Sequence, residues 1–175
     1  MKPILFLAMA VMIMSSVNGQ STDTSAAATN LKKSAEKMGS LFLEKKYEDY
    51  VGYIHPTLIK MSGGKEKMIE GTKKSIADLE TQGFTINKIG IKDPSEIIKT
   101  TTEYQSVVPQ ELELKTNGGR VVSLSYLIGV SSDKGKTWHF IDAGGKTLEQ
   151  LRQRFATLSD KLVIPEKTKP VFYKD

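Results

Sequence analysis

His55 is the side chain whose neighbours best suit it to chemistry. It sits in YVGYIHP, after Tyr50 and Tyr53 and just before Pro56. An imidazole in such a setting can act as a general base or donate a hydrogen bond to a ligand. The competing reading, which the pattern favours, is a histidine at a helix C-terminus that bonds the last carbonyls, with Pro56 fixing the exit. The chain has one other histidine, His139, beside Trp138 in a strand-like run. A solvent-facing or sheet-packing role is expected for it. Two distant histidines without any cysteine make no zinc set, and no metal or cofactor is expected. Asp142 and Glu103 are the acids expected nearest a sheet interior, but neither belongs to a pair spaced for acid–base work. Tyr126 lies among valines and isoleucines, where a buried hydroxyl needs a partner, so it is a pocket candidate. Trp138 and Phe140 read first as core aromatics. There is no Gly-x-x-x-x-Gly-Lys loop and no Gly-x-Ser-x-Gly elbow, and Gly63-Gly64-Lys65 is too short to cradle a phosphate. Tyr53, His55, Tyr126 and Trp138 are the residues expected to line a ligand cavity, with His55 as base if the protein is an enzyme.

Residues 131–138, SSDKGKTW, follow the spacing Ser-x-Asp-x-Gly-x-Thr-Trp, which resembles the Asp-box turn of sialidases and other propellers. The physics is local: Asp133 can accept from turn amides, Gly135 supplies a positive φ, and the Trp138 ring covers the hairpin. Propellers repeat the motif once per blade, and this chain holds a single copy. A structural hairpin is expected rather than a carbohydrate contact.

The elements that must position these residues are legible in order. Residues 4–14 are an unbroken apolar run after Lys2, and Val17 and Gly19 precede a cleavage point ahead of Gln20, the pattern of a signal peptide over residues 1–19. The run is shorter than the roughly 20 residues a spanning helix needs. Residues 20–29 are small and polar and read as a disordered spacer. Asn30 is expected to cap a helix carrying Leu31, Ala35, Met38, Leu41 and Phe42. A shorter helix bears Tyr47, Tyr50, Val51 and Ile54 and stops at His55 before Pro56. The longest helix is expected over 65–82, striped by Met68, Ile69, Thr72, Ile76 and Leu79 and stopped by Gly83. From Phe84 the period changes to two, with a bulge expected at Asn87-Lys88. Pro109 is expected to interrupt a ladder or mark an edge in the strand over 104–116, and Asn117-Gly118-Gly119 to turn a hairpin. In residues 122–131 Val122, Leu124, Tyr126, Ile128 and Val130 alternate with mostly small residues, the mark of a strand with one strongly buried face. Thr147 and Gln150 form a capping box for a last helix. The tail over 159–175 is too apolar for disorder, and part of it should pack back.

The chain has no cysteine, so its core must hold without disulfides. At about 155 residues after cleavage it can bury roughly 68–70% of its unfolded surface. The net charge of +5 is spread as interspersed lysines and acids, the pattern of solvated helix faces, so no nucleic-acid partner is expected.

Helices first, an antiparallel meander next and a helix last argue an α+β fold: N-terminal helices on one face of a curved antiparallel sheet, within a single domain over 30–175. At this point the chain resembles the cone-shaped nuclear-transport-factor-2-like superfamily, also described as cystatin-like. Residues 47–142 further resemble a group of small exported bacterial proteins of unknown activity. The stretches that carry this are HPTLIKMSGGKEKMIE (55–70), VVPQELELK (107–115) and SSDKGKTWHFID (131–142). The resemblance implies a fold and a pocket between sheet and helices, and no particular reaction. The reading preferred is an exported, periplasmic or secreted, non-enzymatic domain without a membrane anchor that binds a small molecule or a protein partner in that cavity. Its rivals are a small-molecule isomerase, dehydratase or hydrolase of the same fold, and a surface interaction module. Self-association as a homodimer through the sheet is compatible with all three.

Overall fold

Strands β3 (Tyr104–Thr116) and β4 (Gly119–Ser131), each of 13 residues, pair along their whole length around the Asn117-Gly118 turn. This hairpin is the spine of the computed structural model, which describes residues 19–175, with side chains from residue 24 onward. The expected leader therefore lies outside the described residues except for Gly19. Strand β1 (Thr85–Ile91) and the short β2 (Ile98–Lys99) flank β3 on its other edge, while β5 (His139–Asp142) and β6 (Val171–Lys174) share the far edge of β4. All pairings are antiparallel. The expected bulge is present: the β1 register shifts between Ile86 and Lys88, and the freed Asn87 amide donates to Glu113. Pro109 leaves the β3–β4 register intact. Its missing N–H falls on the β1 side, just past the last β1 pair at Ile91 and Gln110, where the chain departs after Lys92 N–H donates to the Pro109 carbonyl.

Both faces of the sheet are covered, which corrects the expectation of helices on one face. The first helix, α1 (Gly19–Leu43), lies on the face bearing Val108, Leu127, Trp138 and Phe140. The helix α5 (Leu148–Arg152) and the segment after it lie on the opposite face, where Leu151, Phe155, Leu158 and Leu162 pack on Val107, Tyr126, Ile128 and Ile141. Residues 126–131 of β4 are therefore buried on both faces; only residues 121–125 keep the half-buried character expected of the whole strand. Gly129 faces α1, where a Cβ would stand 2.5 Å from Leu31 Cδ1. Gln105, fully buried, fastens the C-terminal segment to β3. Its Nε2 donates to Glu103 (2.7 Å) and to the Thr157 carbonyl (2.9 Å), and its Oε1 accepts from Ser159 N–H (2.8 Å). The Thr147–Gln150 capping box opens α5 as expected, but the helix ends within five residues and the burial of Phe155 and Leu158 is achieved by turns.

The residues expected as a disordered spacer, 20–29, belong to α1, with Ala27 buried. Three alanines in this run favour helix, and docking on the sheet supplies the partner surface that a short helix lacks alone. Asn30 is accordingly no cap: it lies inside α1, where its side-chain amide donates to the carbonyls of Gly135 (2.8 Å) and Lys136 (2.6 Å). At 25 residues α1, not the helix after Gly64, is the longest. The short helices α2 (Tyr47–Tyr50) and α3 (Pro56–Met61) are separated by a 3-10 turn, Val51–Tyr53. The helix α4 (Lys65–Thr81) packs on these and buries Ile69, leaving Met68, Thr72, Ile76 and Leu79 half-covered.

Candidate ligand-binding site

Beneath the C-terminal half of α1 the helix and sheet part, leaving a half-open chamber of about 200 Å³. Met38, Gly39 and Phe42 of α1 form its roof, Ile86, Ile89 and Leu112 one wall, and Tyr50 and Phe140 another, with Gln110 and Asp142 at its polar side. The register explains this lining. Ile89 pairs with Leu112 and Leu127 with Asp142, so these side chains share the α1 face. A larger cleft of about 500 Å³ lies beside it where β5 and β6 leave the middle of β4 uncovered. Ser123, Leu124, Ser125 and Tyr126 form its base, and the 144–148 loop and the 164–170 segment its sides. Gln110, Leu112 and Asp142 are a wall common to both spaces.

The polar groups around the inner chamber are few. Asp142, an exposed residue at the end of β5, stands where the chamber meets the outer cleft. It accepts from Gly144 N–H through Oδ1 (2.8 Å), while Oδ2 has no protein partner among the described residues. The Tyr50 ring meets Phe42 edge to face, 5.1 Å between centroids. Burial, with the Asp142 carboxylate adding to it, pushes the Tyr50 phenol up to about 12, so it stays neutral at any physiological pH. Among the described residues no lysine or arginine lines the chamber; Lys146 and Lys167 stand in the outer cleft.

Of the four residues expected to line a cavity, none lines the inner chamber and one borders the outer cleft. Tyr126, 9% exposed, borders the outer cleft. Trp138 is core: it is 3% exposed and its indole N–H donates to the Gly135 carbonyl at 3.1 Å. Tyr53 is half-buried and faces a separate, shallow surface depression with Lys37, Glu48 and Lys65. His55 lines neither space. It precedes α3 as its N-cap, Nδ1 accepting from Thr57 N–H at 3.2 Å, and its ring packs edge to face on Phe155 at 5.3 Å. This corrects the helix-C-terminal reading: Pro56 ends nothing but opens the next helix, a position its fixed φ and missing N–H suit. Burial lowers the His55 pKa, with Glu103 opposing and His139 adding to the shift. Among the described residues no group of three acids or histidines could hold a metal ion.

The Asp-box turn is structural. Asp133 Oδ1 accepts from Ser131 Oγ–H (2.8 Å), Lys136 N–H (3.0 Å) and Thr137 N–H (2.9 Å), and Oδ2 from the Thr137 hydroxyl (2.7 Å). Burial would raise the carboxyl, but these bonds outweigh it and hold the pKa down at about 2. Asp142, expected near a sheet interior, is instead exposed at the end of β5, and Glu103 is half-buried. Tyr50, Gln110 and Leu112 gave no signal in the sequence as site residues, because what assembles them is the β1–β3 register and the angle of α1. Comparison with protein-family models, curated proteins and solved structures gives no match.

Proposed function

We propose that the protein is a binding module that takes a small, largely apolar ligand into the chamber beneath α1. The observation that carries this reading is the chamber itself: about 200 Å³ between a helix and a sheet that are otherwise in contact, with a neutral phenol and a carboxylate at one side. A cavity near 150 Å³ lined by apolar side chains accepts a benzene-sized guest, so the chamber suits one ring and a short arm. Catalysis by His55 has no geometric support, since the imidazole caps α3 and packs on Phe155. The cone-shaped superfamily reading belongs to this proposal, supported by an antiparallel α+β architecture with a cavity between sheet and helix. Export belongs to it too. Its support is the apolar run over 4–14, and cleavage ahead of Gln20 would remove only the first residue of α1. Among the described residues no helix is long and apolar enough to cross a membrane.

The test is to fill the chamber. Leu112→Phe should keep the fold, seen in the circular dichroism and an unchanged Tm within a few degrees, while abolishing saturable shifts of tyrosine fluorescence by small aromatic probes such as indole or phenol. Binding that survives the filled chamber would overturn the reading.

A further inference from the structure

Among the described residues one charged side chain lines the chamber, and its sign selects a ligand class. We infer that the chamber beneath α1 recognises a small aromatic or branched amine in its protonated form, held between the Asp142 carboxylate and the aromatic residues Phe42, Tyr50 and Phe140. This rests on the binding reading above and adds its chemistry. Three observations converge on it. First, among the described residues Asp142 is the only charged side chain lining the chamber, Lys146 and Lys167 standing in the outer cleft, so a positive charge inside the chamber meets attraction there. Second, Asp142 Oδ1 is fixed by Gly144 N–H while Oδ2 has no protein partner among the described residues. The carboxylate is thus held in place with one oxygen free to accept from an ammonium. Third, three aromatic rings, those of Phe42, Tyr50 and Phe140, line the same space. Phe42 and Tyr50 meet edge to face, and a ring face open to the space attracts a cation within about 6 Å of its centroid. The Tyr50 hydroxyl, kept neutral beside Asp142, adds a dipole that can accept from the same ammonium.

Size agrees with charge. A phenyl ring with a two-carbon amine arm extends a benzene-sized guest by a short chain, and a cavity of about 200 Å³ exceeds by that margin one that holds benzene. An anionic ligand of the same shape would set a second carboxylate against Asp142, and a neutral one would cover Oδ2 without supplying a charged partner for it.

Titration calorimetry on the whole protein with three near-isosteric probes tests this: 2-phenylethylamine, 2-phenylethanol and phenylacetate. The expected order is amine, then alcohol, then acid, with the amine at least about tenfold tighter than the alcohol. Asp142→Asn keeps an oxygen for Gly144 N–H and should bring the amine down to the level of the alcohol without lowering Tm. Tyr50→Phe should weaken the amine more than the alcohol. Equal affinity of amine and alcohol, or an amine-to-alcohol ratio that Asp142→Asn leaves unchanged, would overturn the amine assignment while leaving the chamber a binding site. Absence of binding by all three probes would overturn the binding reading together with it.

Discussion

The two halves of α1 face the same sheet and do different things. Along its first half Ala27 and Leu31 are buried without space to spare, against Gly129, Gly135 and Trp138. Along its second half Met38, Gly39 and Phe42 roof a chamber. The polar chemistry divides in the same way. Near the sealed half Asn30, Ser131, Asp133 and the Trp138 indole are all hydrogen-bonded within the protein. Near the open half the Tyr50 hydroxyl and Asp142 Oδ2 have no protein partner among the described residues. Close packing with satisfied polar groups is what stability needs. Space with polar groups left to bond is what a ligand needs. The Asp-box turn, the strongest motif in the sequence, belongs to the first kind, and the residues that make the second kind carry no motif at all.

That contrast can be broken most forcefully at Gly135. Its φ is +85°, and a Cβ there would stand 2.5 Å from the Ala27 Cβ. Gly135→Ala therefore combines backbone strain with overpacking and should lower stability by about 3 kcal/mol, read as a shift of the urea midpoint. A loss under about 1 kcal/mol would mean that α1 is not clamped there.

Asp133→Ala should come next, at about 2 kcal/mol, because four donors lose their acceptor. Its pH dependence has a defined sign. A carboxyl held at about 2, below its ordinary 3.8, contributes stability that is present above 3.8 and lost as the pH falls towards 2. The wild-type protein should lose stability across that acid window, and the alanine variant should lose less; parallel acid titration curves would contradict this.

His55→Ala removes an N-cap acceptor and should cost about 1 kcal/mol, whereas His55→Asn retains one. Because burial lowers the imidazole pKa below 6.5, the unfolded chain binds the proton more readily. This contribution to stability is full at pH 8 and declines as the pH drops through 6.5 towards the lowered value. Glu103 opposes that decline and His139 reinforces it. Urea midpoints at pH 8 and pH 5 should fall further for wild type than for His55→Asn.

The smallest effect sharpens the comparison from the other side. Gly39 is helical and faces the open half, where a Cβ would meet Ile89 Cγ2 at 3.1 Å. Alanine there gains about 1 kcal/mol of helix propensity. Ile89 borders the chamber and has room to give, so Gly39→Ala should leave Tm unchanged or slightly raised. A large loss would show that this half of α1 is as tightly packed as the first.

Much of the fold was readable in advance. The β3–β4 hairpin and the capping box of α5 depend on neighbours in sequence, so local pattern carries them; the bulge in β1 shows as a change of phase in the alternation, and the return of the tail only as apolar residues that need cover. The start of α1 was not readable, because a run of Ser, Thr and Ala becomes helix only against the surface that covers Ala27. Nor was the role of His55, since whether the chain before a proline ends one helix or opens another depends on where Phe140 accepts its backbone N–H.

By itself the sequence determined the class of the protein: strand and helix periods, turn residues and a cysteine-free core are local facts that survive any arrangement of the elements. Only the tertiary structure decided where the chamber lies. Its walls come from α1, α2, β1, β3, β4 and β5, distant in the chain, and their convergence depends on register and on how a helix seats on a sheet, which no single stretch of residues encodes.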